Sequence, residues 1–249
     1  MNAQRIIWPE PPAHLALAPG EVHVWAVKLT QPAPFADKLA ALLEPEEQER
    51  AARFQFEHLR QSFRVSHGAL RLILSRYVNL APAQLRFEHG PFGKPELEPK
   101  STLRFNLSHS GELALLGVTL EHEIGVDVEA LRPIPEADSI ARINFSAKEF
   151  AAFCRLEQQQ KLFSFFNCWT RKEAFIKAHG AGLRMPLDQF EVAFAPNEPA
   201  RLLSIHGNTH AAEHWTLCAL HPADGYVAAL AVAVPQMQIS CWRWSEDGR

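Results

Sequence analysis

Two short stretches place acids where a divalent cation or a general base would need them. In IGVDVE, Ile124, Val126 and Val128 alternate with Gly125, Asp127 and Glu129. Successive side chains of a strand point to opposite faces, so Asp127 and Glu129 project from one side. Two like charges so placed repel unless water or a cation lies between them. A hard ion such as Mg²⁺ takes oxygen ligands, keeps several waters and needs few protein carboxylates. A plain strand with one solvated face carries the same pattern. The second stretch, FFNCWTRKEAFIK, has helical spacing: Leu162, Phe165, Phe166, Trp169 and Ile176 form an apolar stripe that also contains Glu173, with Lys177 one turn on. A carboxylate facing the interior needs a cation or a metal. On a solvated edge, Glu173 and Lys177 would be only an i,i+4 pair, worth about 0.3–0.5 kcal/mol.

Upstream, FNLSHS ends an apolar strand with Asn106, Ser108 and His109. Ser108 and His109 should diverge on a strand, and no G-x-S-x-G elbow surrounds them, which argues against a serine hydrolase. A hydroxyl, an amide and an imidazole suit phosphate oxygens. The loop GPFGKP adds the Lys94 cation on backbone that glycine lets approach a ligand, without Walker spacing. Arg50, Arg53, Arg60, Arg64 and Arg71 concentrate charge in the first half, mostly as solvated helix faces, with one or two left to serve a polyanion.

The elements that position these groups recur in order. A strand over 21–29, a helix over 45–56, a longer helix over 59–77 and strands over 103–107 and 113–120 make a first set. A strand over 124–128, a helix starting after Ser146, a long helix over 158–178 capped by Gly180, and strands over 190–194, 215–220 and 226–234 make a second. LEPEEQERAARF echoes FSAKEFAAF, and NLSHSGELALLGV echoes ALHPADGYVAALAV. The expectation is an α+β pseudo-dimer of two similar halves, 1–120 and 121–249, with the site between them.

The 249 residues carry a net charge of −3, which offers no overall attraction to nucleic acid or anionic lipid. Cys154, Cys168, Cys218 and Cys241 lack paired metal-ligand spacing and read as reduced thiols. Met1 to Gly20 reads as neither a signal peptide nor a membrane span, and a cytoplasmic location is expected.

The ordered set FGKP, FNLSHS, GVDVE, FSAKEF and WTRKEAFIKAHGAGL resembles the Sfp-type phosphopantetheinyl transferases over residues 21–234. The resemblance implies transfer of phosphopantetheine from coenzyme A to a serine of an apo acyl or peptidyl carrier protein, with release of adenosine 3′,5′-bisphosphate. It implies Mg²⁺ on Asp127, Glu129 and Glu173, bridging the coenzyme A pyrophosphate, with Lys177 neutralising the same phosphates and Lys172 helping from the edge. Arg50, Gly93, Lys94, Asn106, Ser108 and His109 match coenzyme A contacts. Where some relatives carry a second basic residue, this chain has Glu47. Either Glu173 or a metal-bound water held by Glu129 would serve as base. Segments 132–144 and 145–153 are candidates for the carrier surface or plain connections. One chain supplies both halves, so a monomer is expected.

Overall fold

The computed structural model describes residues 8–90, 92–180, 182 and 185–245. Pro91 of the glycine loop and Ala181 and Leu183 at the end of the long motif lie outside them. The first half contains β1 (Glu21–Lys28), α1 (Ala33–Ala40), α2 (Pro45–Ala52), α3 (Glu57–Ser75), β2 (Arg86–His89), β3 (Pro95–Glu98), β4 (Leu103–Ser110) and β5 (Leu113–Leu120). The second contains β6 (Ile124–Ala130), α4 (Ala137–Asn144), α5 (Ala147–Cys154), α6 (Gln158–His179), β7 (Phe190–Val192) and β8 (Leu202–Ile205). It continues through α7 (Thr209–Ala212), β9 (Thr216–Leu220), β10 (Tyr226–Val232) and β11 (Gln238–Arg243).

Strand alternation explains the layering. Val22 and Val24 of β1, Leu113 and Leu115 of β5, Val126 and Val128 of β6, and Ala228 and Leu230 of β10 share one core between two sheets. The opposite face of the first sheet, with Trp25, Val27, Leu116 and Val118, packs beneath α3 through Leu70, Ile73 and Leu74. The opposite face of the second, with Val227, Ala229 and Ala231, packs beneath α6 through Phe165, Phe166 and Phe175. The order is therefore helix, sheet, sheet, helix.

The sheets repeat each other: β4-β5-β1 and β9-β10-β6 are both antiparallel. The repeat reaches individual ion pairs. Arg71 and Lys172 each lie fourteen residues after the first residue of their long helix, Glu57 and Gln158. Both are completely buried. Arg71 pairs with Glu47 (2.7 Å) and Lys172 with Glu149 (2.7 Å), and each acid is the third residue after the N-cap of the short helix. Both cations also donate to backbone carbonyls, Arg71 to Leu85 and Lys172 to Leu187 and Phe190. Two assignments change accordingly. Lys172 cannot reach a phosphate at the site edge, because its three donors are spent inside the second half. Arg71 is no solvated helix arginine.

The halves exchange one element: β11 pairs in parallel with β1, Glu21 opposite Gln238 through Ala26 opposite Arg243. The first sheet is thus completed by residues from the segment 121–249. The apolar stripe of α6 is also broader than its spacing suggested. Residues 164–168 and 170–172 are buried almost all round, whereas Leu162 is 36% exposed because the first turn of the helix is not covered. Ser146 caps α5 through its hydroxyl and Gly180 ends α6 with φ 75°, both as expected.

Candidate active site

The acids meet where α6 crosses β6, and Gly125 sets how closely. A Cβ at Gly125 would lie 2.1 Å from the Ala174 carbonyl oxygen and 2.4 Å from the Ala178 nitrogen. The glycine therefore lets the helix backbone rest directly on the strand. Two residues along the same face comes Asp127, and the contact brings Lys177 onto it: Lys177 Nζ stands 2.6 Å from Asp127 Oδ1. Ser108 on the facing edge of β4 donates its hydroxyl to the same Oδ1 (3.0 Å) and accepts from Lys177 (3.0 Å). Asp127 Oδ2 is buried with no hydrogen-bond partner among the described residues. Burial pushes the Asp127 pKa up, and this outweighs the opposing pull of Lys177.

Glu173, one turn before Lys177, is half-buried, and its carboxylate makes no hydrogen bond among the described residues. Burial first, and then the charge of Asp127, raise its pKa, against the pull of Lys177. Glu129 Oε2 accepts from Ser110 Oγ and from Arg132 Nη1, both at 2.8 Å. Asn106, Ser108 and Ser110 thus alternate along β4 to meet the backbone, Asp127 and Glu129 of β6 in turn. The amide oxygen of Asn106 accepts from the Val126 backbone N–H (2.8 Å), tying the two sheets together.

The donor set suits a hard cation. It is all oxygen, one carboxylate oxygen of Asp127 is orphaned, and neighbouring acids raise the cost of ionisation, Glu129 for Asp127 and both Asp127 and Glu129 for Glu173. No closed coordination cluster of three or more such groups stands among the described residues. Lys177 and Arg132 hold Asp127 and Glu129 instead.

Beyond Ser108, a cleft of about 620 Å³ is lined by Arg50, Gly93, Asn106 and His109 from the expected set, together with His67 and Phe63. As anticipated, Ser108 and His109 diverge, one to the acids and the other to the cleft. Burial lowers the His109 pKa, and the positive charges of His67, Lys177 and Arg50 add to the effect. The Arg50 guanidinium lies 5.4 Å from the Phe63 ring centre. Gly93, with φ 80°, turns the chain between β2 and β3, so the glycine loop is a hairpin. Lys94 points elsewhere: its ammonium binds Glu123 (2.7 Å) and the Ile124 carbonyl (3.0 Å), bridging the halves.

The sequence reading gave no site role to Gly125, Ser110 or His67, and it placed Arg132 only within the candidate carrier segment 132–144. Strand period already put Ser110 on the face of Ser108, and Gly125 on that of Asp127. His67 and Arg132 carried no comparable local signal.

The first half shows what this site becomes without acids. Arg76 lies nineteen residues after Glu57, as Lys177 lies nineteen after Gln158. Its guanidinium sits over the Trp25 ring (5.3 Å), where the second half has Lys177 on Asp127. Trp25 Nε1 donates to the Tyr77 hydroxyl (2.8 Å), and an aromatic cluster fills the place.

Two family models match the chain. Residues 31–120 match "4'-phosphopantetheinyl transferase, N-terminal", and residues 123–231 match "4'-phosphopantetheinyl transferase superfamily". The 4'-phosphopantetheinyl transferase HetI of Nostoc sp. is 40% identical over 95% of this chain and 98% of its own. The 4'-phosphopantetheinyl transferase Sfp of Bacillus subtilis is 30% identical over 63% of this chain and 68% of its own. A solved holo-[acyl-carrier-protein] synthase of Thermotoga maritima is 21% identical, covers 47% of this chain and 64% of its own, and gives a TM-score of 0.35.

Proposed function

The chain belongs to the 4'-phosphopantetheinyl transferase family, and from that premise we propose that it moves phosphopantetheine from coenzyme A to a serine of an apo carrier protein, with Mg²⁺ at Asp127, Glu129 and Glu173. The observation that carries the metal reading is the buried, partnerless Oδ2 of Asp127 beside two further acids. Bound there, Mg²⁺ would offset the charge of the pyrophosphate and of the departing bisphosphate.

The chain's own groups do the rest. Arg50 and His109 hold the adenosine-phosphate end in the cleft, and Gly93 lets that end approach backbone. Lys177, fixed by Asp127 and Ser108, faces the pyrophosphate as a pre-placed cation. The carrier serine oxygen bonds to the phosphorus bearing pantetheine. The bond from that phosphorus to the bisphosphate oxygen breaks, and the serine proton passes to a base. Glu173 suits that role because its carboxylate, unlike those of Asp127 and Glu129, is engaged by no hydrogen bond or ion pair among the described residues. Asn106 acts as an inter-sheet tie and Lys94 as a bridge to Glu123, supporting the cleft rather than gripping the ligand. The carrier approaches beside Glu129, where Arg132 is followed by α4 with its exposed Ile143 and by the exposed Leu162 and Phe163 of α6. No helix among the described residues is long and apolar enough to cross a membrane.

The test is intact-mass analysis of several apo carriers with coenzyme A, with and without Mg²⁺. The expected result is a gain of one phosphopantetheine that requires the ion and is abolished in Glu173→Ala. No gain on any carrier would refute the transferase reading. Equal transfer after exhaustive chelation would remove the metal from it.

A further inference from the structure

The cleft holds an imidazole that the family resemblance does not assign. We propose that His67 is a third phosphate-binding group in the coenzyme A cleft, contacting the terminal 3′-phosphate monoester and doing the work of the basic residue this chain lacks at position 47. The inference rests on the coenzyme A reading above and extends it.

Glu47 organises the arrangement. Glu47 is half-buried, and burial works against its ionised form. The hydrogen bonds from His67 and from the Glu44 backbone, with the charges of Arg71 and His67, nonetheless hold its pKa below the ordinary carboxylate value. An ionised carboxylate only accepts hydrogen bonds, so the His67 Nδ1, 3.0 Å from Glu47 Oε1, carries a proton toward it. That fixes the ring, and Nε2 on its other side has no partner among the described residues. The ring is stacked on Phe63 with centres 3.9 Å apart, and Phe63 also carries the Arg50 guanidinium. The imidazole is thereby locked on both its flat side and one edge, in a lining position of the cleft. His67 is also close enough to His109 for its charge to depress the His109 pKa.

One guanidinium and two imidazoles therefore converge on one pocket wall, those of Arg50, His67 and His109. The acids that line the cleft beside them are Glu44 and Glu47, both committed to Arg71, and the exposed Glu46 and Glu49 of α2, with Arg53 and His89 adding to the basic side. An entering anion favours the protonated imidazoles, which then donate from both ring nitrogens. A phosphate monoester with two negative charges and three accepting oxygens matches three donors. A phosphodiester, with one charge and two free oxygens, matches them less well.

The experiment is calorimetric titration of the full chain with coenzyme A and with 3′-dephospho-coenzyme A, which lacks only that phosphate. The wild-type chain is expected to bind coenzyme A more tightly than the dephospho form. His67→Ala and His67→Gln should weaken coenzyme A binding by about tenfold, the loss of one charge-assisted contact, and leave the dephospho form unchanged. His67→Lys should restore the preference. Equal weakening of both ligands would show that His67 only supports the fold, and an unchanged ratio would show that it does not touch the phosphate; either overturns the proposal while leaving the transferase reading intact. Failure of the wild-type chain to bind coenzyme A at all would overturn the reading itself.

Discussion

Gly125→Ala tests whether the approach of α6 to β6 builds the site. The added Cβ would sit 2.1 Å from one backbone atom and 2.4 Å from another, where ordinary contact begins at 3.4 Å, so the helix must withdraw by about 1.3 Å. Neither atom belongs to a side chain that can rotate away. Overpacking of this kind costs roughly 1–3 kcal/mol. The larger effect falls on function. Lys177 and Glu173 ride on α6 while Asp127 and Ser108 are anchored on the sheets, so the 2.6 Å contact between Lys177 and Asp127 opens. A misplacement of about 1 Å costs on the order of 100-fold in rate. The cleft walls contributed by α2, α3 and β4 do not move with α6. Single-turnover transfer should therefore slow by roughly two orders of magnitude, while coenzyme A affinity falls far less and the urea midpoint drops modestly. A Gly125→Ala chain with wild-type stability and wild-type transfer would refute this account of the site.

Lys172→Met strands Glu149 in the core and should cost about 3–5 kcal/mol in urea unfolding, whereas adding Glu149→Gln should recover much of it; an unchanged midpoint in the single variant would contradict a structural pair. For Glu173 the folded pKa lies above its ordinary 4.5, so the stability linked to its proton is complete below that value and is lost as pH rises through the folded pKa. In chelator, Glu173→Gln should therefore melt increasingly above the wild type from acid to neutral pH, with Mg²⁺ narrowing the gap; parallel pH profiles would show that the carboxylate is not disfavoured. Asn106→Ala leaves the Val126 N–H without its acceptor and should cost about 1–3 kcal/mol of stability with little change in coenzyme A affinity, and the reverse pattern would make Asn106 a ligand contact.

The acids were legible because strand alternation is local: Asp127 and Glu129 share a face whatever lies across from them. Helical spacing says less. It put Glu173 on the right side of α6, yet it could not separate Lys172 from Lys177, since a helix covered on nearly all sides buries cations as well as leucines. Only the position of α5, with Glu149 at its capping box, distinguishes them. Asn106 and Lys94 failed to reveal their contacts for a related reason, because their partners on Glu123 to Val126 belong to the other half. The echo between the halves was readable as a pattern of elements. Its divergence at the site, Trp25 under Arg76 against Asp127 under Lys177, was not, because the two pairs share no chemistry.

The parallel pairing of β11 with β1 bears on how the protein is made. Residues 21–120 leave the ribosome with every other strand of their sheet in hand, yet the edge beside β1 stays open until Arg243 has been synthesised. During that interval β1 presents an unpaired backbone row flanked by Val22, Val24 and Trp25, a surface on which other nascent chains can assemble. Strand β11 therefore acts as a fastener, and a chain that stops short of residue 238 would leave the first half unclosed although every residue lining its cleft is present.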